Sequence, residues 1–169
     1  LSDFPATFRG LMFDAEHVYL NTNEHKRADN HVQPRDERFI ESCRKQFPLH
    51  DYRRLAPLLH RLRAVKSAAE IDLLKEAVRI TDAGFRRVLK HVKPGVKEFE
   101  LEAEFTHEYV RNRAKFAYTP IIASGGNACV LHYITNDGEC RDGDLLLMDV
   151  AANYANYNAD LTRTVPVNG

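Results

Sequence analysis

The chain predicts an α+β fold, and three observations predict it. Helical periodicity and a helix-start signal dominate residues 67–113. After Lys115 the apolar pattern changes to short extended runs. Those runs are separated by turn clusters such as Asn136-Asp137-Gly138 and Arg141-Asp142-Gly143 rather than by further helices. Helices first and antiparallel strands afterwards form an α+β arrangement, not an alternating parallel one.

The elements follow in order. Residues 8–13 and 17–20 are short strand candidates, and the polar stretch 21–34, with His25 and His31, reads as a solvated loop. Phe39, Cys43 and Phe47 recur every four residues, which predicts a helix over 36–47 with one apolar face, ended by Pro48. A second helical pattern runs through 52–62, with Pro57 in its first turn or at a kink. Ser67-Ala68-Ala69-Glu70 is a capping box that starts the clearest helix. Its apolar positions are Ile71, Leu74, Ala77, Val78, Phe85, Val88 and Leu89, and Pro94-Gly95 breaks it. A further helix is expected over 98–113, burying Leu101, Phe105, Tyr109 and Val110. Strands are expected over 119–123, 129–134, 144–150 and 157–165, with a turn at Ser124-Gly125-Gly126-Asn127. The unbroken run Leu145-Leu146-Leu147-Met148 reads as a strand buried on both faces.

Composition narrows the function classes. Of 169 residues, 24 are Lys or Arg and 24 are Asp or Glu, so the formal net charge is zero. A general nucleic-acid binder needs excess positive charge to displace counterions, and a polybasic membrane surface needs the same. No apolar run approaches the ~18–20 residues that span a bilayer. Leu1-Ser2-Asp3-Phe4-Pro5 has neither the basic segment nor the apolar core of a signal peptide. Cys43, Cys129 and Cys140 form no CxxC pair and are odd in number, which suits reduced thiols and a cytoplasmic location. HExxH, GxSxG and a phosphate loop are absent from the sequence.

Two aspartates could carry chemistry. Asp149 closes the most apolar stretch in the chain, where a carboxylate is costly to bury unless paired, protonated or metal-bound. A two-residue turn at Tyr154-Ala155 would place Asp160 directly opposite it on the same sheet face, with Cβ atoms ~4.5–5.5 Å apart. Such a pair repels unless a divalent cation sits between, and an all-oxygen ligand set favours Mn²⁺ or Mg²⁺. The plainer reading is that each Asp bonds turn amides or Arg163. A one-residue register slip would separate the carboxylates onto opposite faces. His132, in the apolar run Val130-Leu131-His132-Tyr133, is either a hydrogen-bonded structural residue or a donor to a substrate carbonyl.

Several segments carry a family resemblance. They are Val65-Lys66-Ser67-Ala68-Ala69-Glu70-Ile71, Ile121-Ile122-Ala123-Ser124-Gly125, Leu131-His132-Tyr133, Gly143-Asp144-Leu145-Leu146-Leu147-Met148-Asp149 and Asp160-Leu161-Thr162-Arg163-Thr164-Val165-Pro166-Val167-Asn168-Gly169. With the spacing of His132, Asp149 and Asp160, residues 65–169 resemble the Xaa-Pro aminopeptidase and prolidase branch of the pita-bread (M24) metallopeptidases. The resemblance implies the first half of a pita-bread (creatinase/aminopeptidase) fold over residues 61–169. Residues 1–60 would be the tail of a small N-terminal α/β domain. It also implies a dinuclear centre of two Asp, one His and two Glu. Asp149 would hold one ion, Asp160 would bridge both, and His132 would bind substrate and stabilise the tetrahedral intermediate.

The remaining His and two Glu are expected beyond Gly169, so the 169 residues alone are expected to be inactive. Manganese is the implied cofactor, with cobalt or zinc as substitutes, and a homodimer or larger assembly is implied. The implied substrates are short peptides with proline in second position. A prolidase (Xaa-Pro dipeptidase) and a non-catalytic peptide- or protein-binding module are the alternatives. One departure stands out: the family's Asp-Ala-Gly is Asp149-Val150-Ala151 here.

Overall fold

The computed structural model describes residues 3–24 and 32–168, so His25 and His31 lie outside the described residues. The chain divides into two compact units, Leu1–Lys66 and Ser67–Gly169.

The first unit opens with a helix, α1 (Phe4–Asp14), where a strand is expected over 8–13. Pro5 explains the difference: its fixed φ suits a first helical turn. Phe4, Phe8 and Met12 then share one face. Phe4 stacks on Phe8 at 5.6 Å between ring centroids, and Phe8 meets Phe39 at 5.4 Å. β1 (His17–Leu20) pairs in parallel with β2 (Asp51–Arg54), and α2 (Arg35–Gln46) lies between them in sequence. Tyr52 therefore belongs to a strand, not to the helix expected over 52–62. Its hydroxyl lies 2.9 Å from the Cys43 carbonyl and 2.8 Å from the Phe47 carbonyl at the end of α2, and donates to one of them at a time. The helical part of that segment is α3 (Ala56–Ala64), with Pro57 in its first turn.

The second unit holds the main core. In the predicted capping box the Ser67 amide donates to Glu70 Oε2 at 2.7 Å and the Glu70 amide to Ser67 Oγ at 3.4 Å, starting α4 (Ala68–Val88). The buried stripe of α4 is Ala77, Ile80, Thr81, Gly84, Phe85 and Val88. Ile71, Val78 and Leu89 are exposed instead, because the stripe follows Ala77 and Ile80 and turns Val78 about 100° away. Gly84 is needed for close approach: a Cβ there would sit 2.8 Å from Phe105 Cδ1. Phe105 comes from α5 (Glu98–Arg111), which buries Leu101 and Tyr109 as expected but leaves Val110 65% exposed.

The sheet of this unit is antiparallel throughout. β5 (Leu145–Tyr154) is its centre. β3 (Lys115–Phe116) and β4 (Ile121–Ser124) lie along one edge of β5, and β6 (Tyr157–Pro166) along the other. Leu146, Met148, Val150 and Ala152 point from β5 into the core with α4 and α5. Leu145 is 56% exposed, so the run 145–148 is buried on one face only. The expected strand over 129–134 is absent: a 3₁₀ turn, Gly125–Cys129, leads instead into an irregular loop.

Candidate functional site

The open face of β5 and β6 carries the two aspartates. β5 and β6 turn at Ala155 and Asn156, with φ of 48° and 68°, not at Tyr154-Ala155. Both central residues at positive φ are what a two-residue hairpin turn requires. The true register pairs Asp149 with Thr162 and Ala151 with Asp160. This differs from the expected register by two residues, and two is the side-chain period of a strand. The carboxylates therefore stay on one face but are diagonal neighbours, not direct partners.

Tyr118 closes the diagonal. It lies between β3 and β4, where the Ala117 amide donates to the Ala151 carbonyl at 2.9 Å. Its hydroxyl oxygen is 2.5 Å from Asp149 Oδ1 and 2.6 Å from Asp160 Oδ1. A phenol has one proton, so it can donate to only one of them at a time. Two carboxylate oxygens drawn to one neutral oxygen concentrate negative charge at a single point of the sheet. Burial raises the Tyr118 pKa, and the two carboxylates raise it further, so the phenol stays protonated.

The donor set fits a hard divalent ion. Both donors are carboxylate oxygens on adjacent strands, and their separation is no more than the two hydrogen-bond lengths combined. That span suits one ion or a close pair of ions. Among the described residues no third His, Cys, Asp or Glu joins the pair into a metal-holding cluster.

His132 sits in a turn after the 3₁₀ segment, with φ of 57°, rather than on a strand. Its neighbour Leu131 is 84% exposed. An open depression of about 320 Å³ is lined by His132, Asp149 and Thr162, with Ile121, Cys129 and Leu131 among its other walls. The fold thus brings His132 and Asp149 to one depression and joins Asp160 to Asp149 through Tyr118. Arg163 is not the partner of this pair: its guanidinium donates to the Thr162 carbonyl at 2.7 Å.

Sequence reasoning missed Tyr118. It lies in no periodic segment, and its partners are 31 and 42 residues away, so only the strand pairing brings them together. Glu98 was missed as well, since a Glu at a helix start looks like ordinary capping. It is fully buried.

Comparison with known proteins adds a family. Residues 72–169 match Metallopeptidase family M24. The Xaa-Pro aminopeptidase of Escherichia coli strain K12 is 38% identical over 157 residues, which is 90% of this chain and 35% of that protein. Proline aminopeptidase P II from Yersinia pestis superposes with a TM-score of 0.81 at 34% identity, over 99% of this chain and 39% of that one. A variant of Escherichia coli aminopeptidase P in complex with substrate superposes with a TM-score of 0.84 at 32% identity, over 99% of this chain and 38% of that one. The chain spans about a third of the curated relative's length and under two fifths of each solved structure. No helix among the described residues is long and apolar enough to cross a membrane.

Proposed function

The chain belongs to metallopeptidase family M24, and from that premise we propose that its parent protein is an Xaa-Pro aminopeptidase. Such an enzyme removes the N-terminal residue from short peptides with proline in second position. The observation that carries the reading is the convergence of Asp149 and Asp160 on Tyr118, beside the depression that also holds His132.

Asp149 and Asp160 would hold the metal, with manganese as the physiological ion. When bound, a divalent ion supplies Lewis acidity and an activated water nucleophile at neutral pH. The chain's own residues supply orientation. Strand pairing fixes the two carboxylates on a rigid support, and the Tyr118 hydroxyl donates to one of them at a time. His132, exposed at the rim, donates a hydrogen bond to the scissile carbonyl oxygen as negative charge develops there. Ile121, Leu131 and Leu147 give the open depression apolar walls beside these groups.

In this reading the second unit, Ser67–Gly169, is the first half of the catalytic domain and the residues before it the tail of the N-terminal domain, so the division falls after α3 and not at residue 60. A further His and two Glu would complete the ligand set in this reading. Three free cysteines suit the cytoplasm, and a homodimer or larger assembly completes the reading.

The test is made on the parent protein. Manganese binding is measured by calorimetry, and release of the first residue from Xaa-Pro peptides by chromatography. Asp160→Asn should abolish both manganese binding and cleavage, and chelation should remove activity until manganese is restored. An Asp160→Asn protein that keeps its metal and its activity sinks the assignment. The 169 residues alone should show no manganese-dependent cleavage.

A further inference from the structure

Glu98 is a fully buried carboxylate, and its surroundings are unusually specific. It is the first residue of α5, in a different element from the candidate site. Its Oε1 accepts from the Ser124 amide at 2.7 Å and from Asn127 Nδ2 at 3.1 Å. Its Oε2 accepts from the Tyr133 hydroxyl at 2.7 Å and from the Gly138 amide at 2.8 Å. Its own amide donates to the Gly138 carbonyl at 2.9 Å. Four donors thus meet the two oxygens, which is what a buried charge needs to be tolerated.

The identity of those donors matters more than their number. Ser124 and Gly138 are the two ends of a single loop, and Glu98 binds both. Asn127 and Tyr133 lie inside the loop, on either side of His132, and Glu98 binds both of these too. Asn127 Nδ2 also donates to the Tyr133 hydroxyl at 3.0 Å, which closes the ring of contacts. Gly138 admits the arrangement, since a Cβ there would come within 2.8 Å of Glu98 Oε1. Tyr133 remains a phenol up to high pH: burial and the Glu98 carboxylate push its pKa up to about 12. Between these clamps His132 takes a left-handed backbone conformation, which is uncommon for a non-glycine residue.

We propose that Glu98 is a positioning residue for His132, holding the loop 124–138 in the shape that aims the imidazole at the depression beside Asp149. The proposal deepens the peptidase reading and rests on it for the role of His132. A glutamine at 98 has one acceptor oxygen: its amide nitrogen would face either the Ser124 and Asn127 N–H donors, or the Gly138 amide and a Tyr133 hydroxyl forced to turn and accept. The loop would survive with half its clamp, and His132 would lose its fixed aim.

The test uses the parent protein with ¹³C-labelled histidine and diamagnetic zinc in place of manganese for the NMR measurement, so that the His132 ring signal is read directly. Glu98→Gln should shift and broaden that signal. It should lower kcat about 100-fold, the scale of a small misplacement of a reacting group. KM should change little and manganese stoichiometry should stay the same. In a His132→Ala background, Glu98→Gln should have almost no further effect on kcat, because residues acting as one unit are not additive. Should Glu98→Gln not fold, Tyr133→Phe carries the test, removing one donor and moving the ring signal and kcat in the same direction by less. An unmoved His132 signal, or an equal loss of kcat with and without His132, overturns the proposal. If the unaltered protein cleaves no Xaa-Pro peptide, the peptidase reading falls, and the ring signal alone decides whether Glu98 positions His132.

Discussion

A single phenol proton shared by Tyr118 is a weak way to hold two carboxylates. At any moment one of Asp149 and Asp160 has the proton and the other faces an oxygen lone pair. The pair is least comfortable without a cation and gains most from one. Tyr118→Phe should therefore destabilise the metal-free parent protein by about 1.5–3 kcal/mol, the scale of a lost hydrogen bond to a charged group. The manganese-loaded form should lose less. Thermal melts with and without manganese check this, and equal losses in both states would count against it. Asp149, Asp160 and His132 stand out as candidates because each sits in a recognisable local string. Tyr118 and Glu98 do not, because their meaning lies in contacts across 26 to 42 residues.

Among the elements, legibility followed the length of the local signal. The capping box located α4 almost to the residue, and the regular spacing of Leu101, Phe105 and Tyr109 located α5. Short apolar runs misled: in residues 8–13 Phe8 and Met12 share one side of a helix while Leu11 and Phe13 are exposed, and 129–134 contain apolar side chains that a loop displays to solvent. The hairpin register was missed because Ala155 is an unusual residue for a left-handed position, while Asn156 is a common one. That suggests a stabilising change. An L-residue other than Gly, Asn or Asp at such a φ is penalised by roughly 1–2 kcal/mol. Ala155→Asn should recover part of this, up to about 1 kcal/mol, raising Tm without altering the Asp149 to Thr162 pairing. A lowered Tm would show that the alanine side chain has a role at the turn that the backbone angles do not reveal.

On the scale of the whole molecule, the two units differ in how much they bury. Among the described residues of the first unit, Met12, Val18, Cys43 and Ala56 are the buried apolar side chains, and the sheet there has two strands. Two-stranded sheets are marginal without strong packing. The second unit buries large side chains from α4, α5 and β5 in one continuous core. Amides of β1 and β2 should exchange with deuterium through local opening, well before those of β5 and α4. Mass spectrometry of a deuterium time course on this chain reads the order, and equal protection in both units would overturn it. The family-level architecture was visible in the sequence because its pattern lies in the second unit. The first unit is too short and too mixed to carry such a pattern.

Cys129 offers a consequence of a different kind. Of the three thiols in the chain it alone is exposed, and it lines the same depression as His132 and Asp149. Cys43 and Cys140 are buried, and burial raises both their pKa values, so they hold back from electrophiles. A maleimide dye would therefore attach at the rim of the candidate centre without an engineered handle. Manganese is paramagnetic and quenches a fluorophore held close to it, so this native thiol is a ready anchor for an optical gauge of occupancy.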